Sequence, residues 1–285
     1  MAEGLRRTLG GVSSASVAVA QFAPGADRTA NLAGMRALAL RAVEQGADLV
    51  VFPEYASYFT PTMGPDWLVA AELLDGGFVA GLGDIAAEVG AIIVAGFIEQ
   101  GTRADRFRNT IAAVGPDGAL LAVSRKLHLY DAFGATESAW AEPGAIEPPQ
   151  LFTLGPSGRG LRVGIQTCYD LRFPEVTRRL VDAGAELVLV PSEWVAGPHK
   201  LHAWRTLVTA RAIENTVYLA AADHPPPVGV GASMIVDARG ELLAALDDET
   251  DAVVAVLSRE HLDAVRGVNP ALRLRRFRIE PGAPA

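Results

Sequence analysis

The hydrophobic positions of the chain alternate between two spacings. A short β-branched run over residues 17–22 predicts a buried strand. Residues 28–45 then carry apolar side chains three and four apart, as in a helix, and Gly46 follows as a stop signal. A continuous apolar run over residues 48–52 predicts a second strand, which ends at Pro53. The alternation continues through one long helix predicted around residues 66–89 and a strand over residues 91–98.

The rest of the chain adds hairpins to this alternation. Strands predicted at 109–114 and 120–124 flank Gly-Pro-Asp-Gly at 115–118, a strong turn sequence. Helices are predicted over 172–182 and about 202–214, and further strands at 161–167, 186–190, 217–222, 232–236, 241–246 and 252–257. The mixture of hairpins and strand–helix units favours an α/β fold with mixed sheets covered by helices.

Composition narrows the class of protein. With 285 residues, 50% of them apolar and 20% charged, the chain can bury a full core in one globular domain. A formal net charge of -8 argues against a nucleic-acid or anionic-membrane surface and favours a small soluble substrate. No apolar run approaches the roughly 18 residues of a membrane span. The first 14 residues are too polar in their centre for a signal peptide, so we expect a disordered lead-in and a cytoplasmic protein.

The single cysteine, Cys168, admits two interpretations. It cannot form an intrachain disulfide, and it is either a small buried hydrophobe or a nucleophile. Composition alone favours the first interpretation. Its position favours the second, because Cys168 falls at the turn between a predicted strand and the helix that follows. Glu54 likewise stands directly beyond a strand, where α/β folds commonly place their chemistry.

Several segments resemble the carbon–nitrogen hydrolase (nitrilase) superfamily. The resemblance extends from residue 15 to about 260, and it implies a four-layer αββα sandwich. We expect residues 261–285 to form a C-terminal extension at an oligomer interface. Three of the segments stand in the order that this superfamily has. The matching segments are FPEY at 52–55, RKLHL at 125–129, Glu137-Ser138, GIQTCYDLRFPE at 164–175, ARAIEN at 210–215 and GASMIVD at 231–237.

The resemblance implies catalytic roles for Glu54, Lys126, Cys168 and Glu137. An ordinary thiol, with a pKa near 8.5, is only slightly ionised at neutral pH and needs activation. A lysine ammonium favours the thiolate, and a glutamate can accept the thiol proton and return it to departing ammonia. The second glutamate would hold Lys126 and orient the substrate amide. Each of these residues alone could be an ordinary surface charge, so the prediction rests on their combination.

The predicted substrate is a small linear amide. Tyr169, directly after the cysteine, favours the amidase branches, which include the omega-amidases. Arg172 can bind a substrate carboxylate through two parallel hydrogen bonds, or it can be a helix-start arginine paired with Asp170 or Glu175. Trp194 can line the pocket or simply pack. An N-carbamoyl amino acid or a nitrile would require the same catalytic set, and a binding protein that has lost activity is a further alternative.

The histidines offer rival chemistries. His128 could pair with Cys168 as in papain-like hydrolases, although the resemblance places it beside the site as a structural hydrogen-bonder. His199 and His202 stand near Glu193 and partly imitate a metal site, but no third ligand has convincing spacing. We therefore expect no metal and no cofactor. The family resemblance, with a tail after residue 267 that has few apolar residues for its own packing, predicts a homodimer or larger homo-oligomer. Two segments depart from the family pattern, Gln-Thr at 166–167 and Ser-Glu-Trp at 192–194; both touch the predicted pocket wall.

Overall fold

The computed structural model describes residues 14–155 and 160–282. Within these ranges it has six helices and twelve strands. The helices are α1 (Arg28–Glu44), α2 (Pro65–Ala70), α3 (Gly77–Val89), α4 (Pro174–Asp182), α5 (Lys200–Asn215) and α6 (Arg259–Val268). The strands are β1 (Ser14–Ala20), β2 (Leu49–Val51), β3 (Ile92–Gln100), β4 (Phe107–Val114), β5 (Leu120–Arg125), β6 (Phe152–Leu154), β7 (Leu161–Ile165), β8 (Leu187–Pro191), β9 (Tyr218–Ala222), β10 (Met234–Val236), β11 (Leu242–Ala245) and β12 (Ala252–Ser258).

The strands form two six-stranded sheets with the same pattern of directions. The first sheet has the order β12-β1-β2-β3-β4-β5, and the second has the order β11-β10-β9-β8-β7-β6. In each sheet three neighbouring strands are parallel, β1 to β3 in one and β7 to β9 in the other. Antiparallel strands flank them on both sides. The carboxyl ends of the parallel strands therefore lie at one edge of each sheet.

Side-chain alternation along the strands explains why the sheets stack. Val17 and Val19 of β1 face the second sheet, where they pack with residues such as Leu187 and Leu189 of β8. Ala18, between them, points to the other face, where α1 and α3 cover the first sheet. Helices α4 and α5 cover the outer face of the second sheet. The result is the predicted four-layer αββα sandwich.

The prediction of one continuous helix around residues 66–89 is wrong, because this segment forms two helices, α2 and α3. At Ala71 the backbone turns extended, and Glu72 then forms a parallel bridge with Glu99 of β3. The apolar spacing continues across this break, so the sequence pattern did not reveal it. The helix predicted from residue 172 begins at Pro174, after a 3-10 turn over Cys168–Arg172.

Both ends of the chain differ in part from the prediction. The predicted lead-in over residues 1–14 lies outside the described residues except for Ser14, which begins β1. Residues 261–268, assigned to an extension, belong to α6, and Leu262 and Val265 of this helix are buried in the core between the sheets. Strand β6 was not predicted. In the described part of the chain, no helix is long and apolar enough to cross a membrane.

Candidate active site

The four residues predicted to be catalytic lie together at the strand ends. Glu54 follows β2, Lys126 follows β5 directly, and Cys168 follows β7. Glu137 begins a short 3-10 turn in the loop after Lys126. All four are nearly inaccessible to solvent, with exposures between 0% and 5%. Four residues from separate segments of the chain thus form one buried group beyond the ends of the strands.

Lys126 bridges the two glutamates. Its Nζ atom lies 2.9 Å from Oε1 of Glu54 and 2.8 Å from Oε2 of Glu137. A buried charge that lacks a partner is expensive, and here one ammonium faces two carboxylates within hydrogen-bond distance. The bridge fixes the positions of all three groups beside the thiol.

Further donors hold the two carboxylates. The Asn109 side-chain amide donates to Oε1 of Glu54 and, over 3.1 Å, to Oε1 of Glu137. The Tyr55 hydroxyl donates to Glu137 over 2.6 Å, and the backbone N–H of Tyr130 donates to the other oxygen of Glu137 over 2.6 Å. Glu137 therefore accepts four hydrogen bonds, counting that from Lys126, and is held more firmly as a carboxylate than Glu54.

Cys168 occupies a strained turn. Its φ of 45° lies in the left-handed region, which is unusual for a residue other than glycine and is typical of functional turns. The Sγ–H of Cys168 donates to the backbone carbonyl of Glu193 over 3.3 Å, and the backbone N–H of Glu193 donates to Oε2 of Glu54 over 2.7 Å. One residue of the β8 terminus thus links the thiol to the carboxylate.

The surroundings shift the pKa values of the two glutamates in opposite directions. Burial raises the pKa of Glu54, and the nearby charge of Glu137 adds to this effect although Lys126 opposes it. Burial also acts to raise the pKa of Glu137, but the charge and hydrogen bond of Lys126, with the other donors, outweigh it and lower this pKa. Glu54 can therefore gain and lose a proton, whereas Glu137 remains ionised.

Burial and the neighbouring charges also shift the pKa values of Lys126 and Cys168. Burial alone would lower the pKa of Lys126, but the carboxylates of Glu137 and Glu54 raise it well above its ordinary value. Burial, with the carboxylate of Glu54, raises the pKa of the Cys168 thiol well above its ordinary value, against the opposing effect of Lys126. The resting side chain is thus a thiol, and its proton must leave as it attacks a substrate.

A cavity of about 710 Å³ opens onto this group of side chains, and it is large enough for a small-molecule ligand. Cys168 and Lys126 form part of its wall. The predicted substrate-binding residues Tyr169, Arg172 and Trp194 also line it. Within the described residues Arg172 forms no ion pair with Asp170 or Glu175, and its Nε atom is buried without a hydrogen-bond partner. The guanidinium of Arg172 lies 5.0 Å from the ring centre of Trp194.

The three histidines considered in the sequence have no hydrogen bond to the thiol among the described residues. His128 forms a 2.8 Å hydrogen bond with Asp170 through Nδ1, and its ring stacks on Phe173 with the ring centres 3.6 Å apart. His199 and His202 are exposed. Over residues 14–155 and 160–282, no three His, Cys, Asp or Glu side chains cluster as potential metal ligands.

Some residues of the site were not predicted from the sequence. Asn109 and Tyr55 bind the two glutamates, and the Nε2 atom of His224 lies 2.8 Å from the backbone oxygen of Glu54. Burial lowers the pKa of His224 to about 4, so a neutral ring donates this bond. Glu193 lines the cavity, and burial and the charge of Glu54 raise the pKa of its carboxyl group well above the ordinary value. Tyr55 belonged to a recognised motif and Glu193 to a segment predicted to touch the pocket wall, whereas Asn109 and His224 carried no such signal.

This sandwich brings together a thiol, an ammonium and two carboxylates, a set that suits an enzyme that hydrolyses carbon–nitrogen bonds. The sequence matches the carbon–nitrogen hydrolase family over residues 16–266, and the chain belongs to that family.

Two relatives cover nearly the whole chain. A hydrolase of Mycobacterium tuberculosis is 35% identical over 273 residues, which are 90% of this chain and 94% of the relative. The omega-amidase NIT2 of Bos taurus is 30% identical over 266 residues, which are 91% of this chain and 94% of the relative. The similarity therefore extends over most of the length of both relatives.

Solved structures share the fold. The NitFhit protein of Caenorhabditis elegans is 27% identical with a TM-score of 0.83, and the match covers 93% of this chain and 65% of that one, somewhat less than two thirds. A mutant of the amidase from Nesterenkonia sp. AN1 is 28% identical with a TM-score of 0.75, covering 96% of this chain and 97% of that one. In that structure the acetamide moiety of fluoroacetamide is added covalently at the active-site cysteine.

Proposed function

We propose that this enzyme hydrolyses a small linear amide that carries a carboxylate, releasing ammonia through a thioester on Cys168. The observation that carries the proposal is the buried bridge of Lys126 between Glu54 and Glu137, which lies beside the thiol at the base of a cavity. Amide hydrolysis needs a nucleophile, a proton carrier and a charge that stabilises the oxyanion. These three requirements match the thiol, Glu54 and Lys126.

The first half-reaction forms the thioester. The sulfur of Cys168 attacks the amide carbon as its proton passes to Glu54, and the carbonyl oxygen becomes an oxyanion. Lys126 and the backbone N–H of Tyr169 stabilise that charge; removal of one such donor typically costs about 3 kcal/mol. The carbon–nitrogen bond then breaks, and the proton held by Glu54 passes to the departing nitrogen as ammonia leaves.

The second half-reaction releases the acid. Glu54, ionised again, takes a proton from a water molecule as the oxygen of that water attacks the thioester carbon. The carbon–sulfur bond breaks, and the proton on Glu54 returns to Cys168. The cycle is ping-pong in form and needs no metal or cofactor. Glu137, with its lowered pKa, has the supporting role of keeping Lys126 charged and in place.

The position of Arg172 in the cavity favours a substrate that carries a carboxylate. Its guanidinium lines the cavity without an ion pair among the described residues, and its Nε atom is buried and unpartnered. A guanidinium can hold a carboxylate through two parallel hydrogen bonds. The relationship to an omega-amidase agrees with an amide of a dicarboxylic acid. Tyr169 and Trp194 would form the walls around such a substrate.

The test is ammonia release across a panel of neutral amides, carboxylated amides, N-carbamoyl amino acids and nitriles. The proposal expects the highest kcat/KM with carboxylated amides. A preference for an N-carbamoyl amino acid or a nitrile would change the proposed substrate but not the proposed catalytic residues. Absence of turnover on every compound, together with a thiol that does not react with iodoacetamide, would favour a binding protein without activity.

Arg172→Lys is expected to reduce the selectivity for carboxylated amides. Lysine keeps the charge but cannot form the two parallel hydrogen bonds. We expect the ratio of kcat/KM for carboxylated over neutral amides to fall. The loss corresponds to about 2–3 kcal/mol of transition-state stabilisation for the carboxylated amides. Arg179→Lys is the matched control, because Arg179 lies on α4 outside this cavity. Equal losses on both substrates would make Arg172 a scaffold residue.

The pH dependence should report the raised pKa of Glu54. The carboxylate form accepts the thiol proton, so kcat/KM falls as the pH drops through this pKa, above the ordinary glutamate value of about 4.3. Asn109→Leu removes a donor that favours the carboxylate, so its acidic limb should move to higher pH. Thr110→Val is the control, because Thr110 donates to Glu99. An acidic limb that is unchanged in Asn109→Leu would contradict the assignment to Glu54.

We also expect a homo-oligomer, with the C-terminal residues after Val268 at the contact between copies. Leu274 and Phe277 in this segment are 70% and 89% exposed, and Leu242 of the edge strand β11 is 59% exposed. Such apolar surface favours association. Light scattering at micromolar concentration should give at least twice the chain mass of 29.9 kDa. A monomer mass would contradict this expectation.

A further inference from the structure

Lys200 is a buried cation that the mechanism above does not use. It is the first residue of α5, it is only 8% exposed, and it lines the same cavity as Cys168. Its Nζ atom donates a 2.5 Å hydrogen bond to the hydroxyl of Tyr130. Burial raises the pKa of Tyr130 to about 12, so this partner is neutral and does not balance the charge of Lys200.

Arg172 brings a second cation to the same end of the cavity. The guanidinium of Arg172 lies 5.4 Å from the ring centre of Phe133, and the ammonium of Lys200 lies 4.0 Å from it. Both also approach Trp194, at 5.0 Å and 5.9 Å from its ring centre. Two cations thus share one aromatic wall, and neither forms an ion pair with a carboxylate of the described residues.

This arrangement is unfavourable unless an anion joins it. Two like charges in a partly desolvated cavity repel each other, and burial with the charge of Arg172 lowers the pKa of Lys200. The aromatic faces compensate only in part, because a cation–π contact contributes about 0.5–2 kcal/mol. Glu193 lines the cavity too, but it forms no ion pair with either cation, and its raised pKa favours the neutral acid.

We propose that Lys200 and Arg172 together bind one carboxylate of the substrate acyl chain, and that Lys200 is a specificity-determining residue for monoamides of dicarboxylic acids. Arg172 supplies the directional hydrogen bonds and Lys200 a second positive charge, while the buried Trp194 beside both cations reduces solvent screening of the two interactions. This inference rests on the proposed function, since it takes the amide carbon to lie at Cys168. It adds a residue that lies 32 positions after the nucleophile and outside every motif of the sequence.

The experiment compares succinamate with butyramide, which matches it in chain length but has no carboxylate. In Lys200→Met the ratio of kcat/KM for succinamate over butyramide should fall about tenfold or more, because one partner of a shielded charge contact is lost. In Lys200→Arg, which keeps a cation, the ratio should stay near that of the unmodified enzyme. Arg205→Met is the control, since Arg205 is on the same helix outside the cavity.

A second measurement separates this inference from the proposed function. Calorimetry with the Cys168→Ala protein measures succinamate binding without turnover, and adding Lys200→Met should weaken that binding about tenfold. If the enzyme hydrolyses no amide, the proposed function fails, while the binding result still tests Lys200. A ratio and an affinity that Lys200→Met leaves unchanged, or equal losses on both substrates in a protein that melts at its usual temperature, would overturn the inference.

Discussion

Cys168→Ala is expected to abolish amide hydrolysis, lowering kcat by about 10⁴-fold or more, while the protein remains folded. Alanine keeps the β-carbon at this left-handed position and removes only the sulfur that forms the thioester. The change creates little empty volume, so the melting temperature should move by only a few degrees. Ammonia release and thermal unfolding measure the two effects.

Cys168→Ser provides the matched control for packing. Serine is close in size to cysteine and can donate to the same carbonyl of Glu193, but its hydroxyl is a much weaker nucleophile in this setting. If Cys168 only filled space, the serine variant would retain activity. Turnover retained in Cys168→Ala would exclude the thioester mechanism altogether.

Removing Lys126 should have the second largest effect. Lys126→Ala removes the oxyanion donor and leaves two buried carboxylates without their cation. We expect kcat to fall about 10³-fold and the free energy of unfolding to fall by about 3–5 kcal/mol. Enzyme kinetics and denaturant unfolding report the two quantities separately.

A mutant cycle tests whether these residues act as one unit. Glu54→Gln alone should lower kcat strongly, but Lys126→Ala combined with Glu54→Gln should lose far less than the product of the single losses. The double variant should also recover part of the stability, because it has one buried carboxylate fewer. Glu137→Gln should lower kcat less than Glu54→Gln. If the loss of kcat in the double variant equals the product of the two single losses, Lys126 and Glu54 act independently of each other.

His128→Ala is the control for the rival mechanism. His128 bonds to Asp170 and stacks on Phe173, so its loss should affect the position of the neighbouring loop more than the proton transfer. Near-normal rates in Glu54→Gln, with lost activity in His128→Ala, would replace the glutamate base by a cysteine–histidine pair.

The sequence predicted the features of the fold that depend on neighbouring residues. The strands β2 and β7 were predicted from their local sequence, β2 as a continuous apolar run, and Glu54 and Cys168 stood directly beyond the predicted strands. The helix α6 was missed because only two of its positions, Leu262 and Val265, are buried. The break between α2 and α3 was missed because it depends on a bridge to a strand that is 27 residues away in sequence.

The site was predicted only where a motif or a strand end marked it. Glu137 required the family resemblance, because nothing in its loop indicates that it turns back to Lys126. Asn109 lies inside an ordinary strand, and Lys200 begins an ordinary helix. Their roles depend on long-range packing of the two sheets, which brings separate strand ends and loops around one cavity. Sequence spacing carries no information about such contacts.

The most direct test of the account is mass spectrometry of the protein quenched with acid during turnover of a carboxylated amide. The account predicts an adduct with the mass of the substrate minus ammonia, located on the peptide that contains Cys168. Glu54→Gln should form this adduct much more slowly, because a glutamine can neither accept the thiol proton nor pass a proton to the departing nitrogen. An adduct on another residue, or active enzyme that never carries one, would contradict the thioester on Cys168.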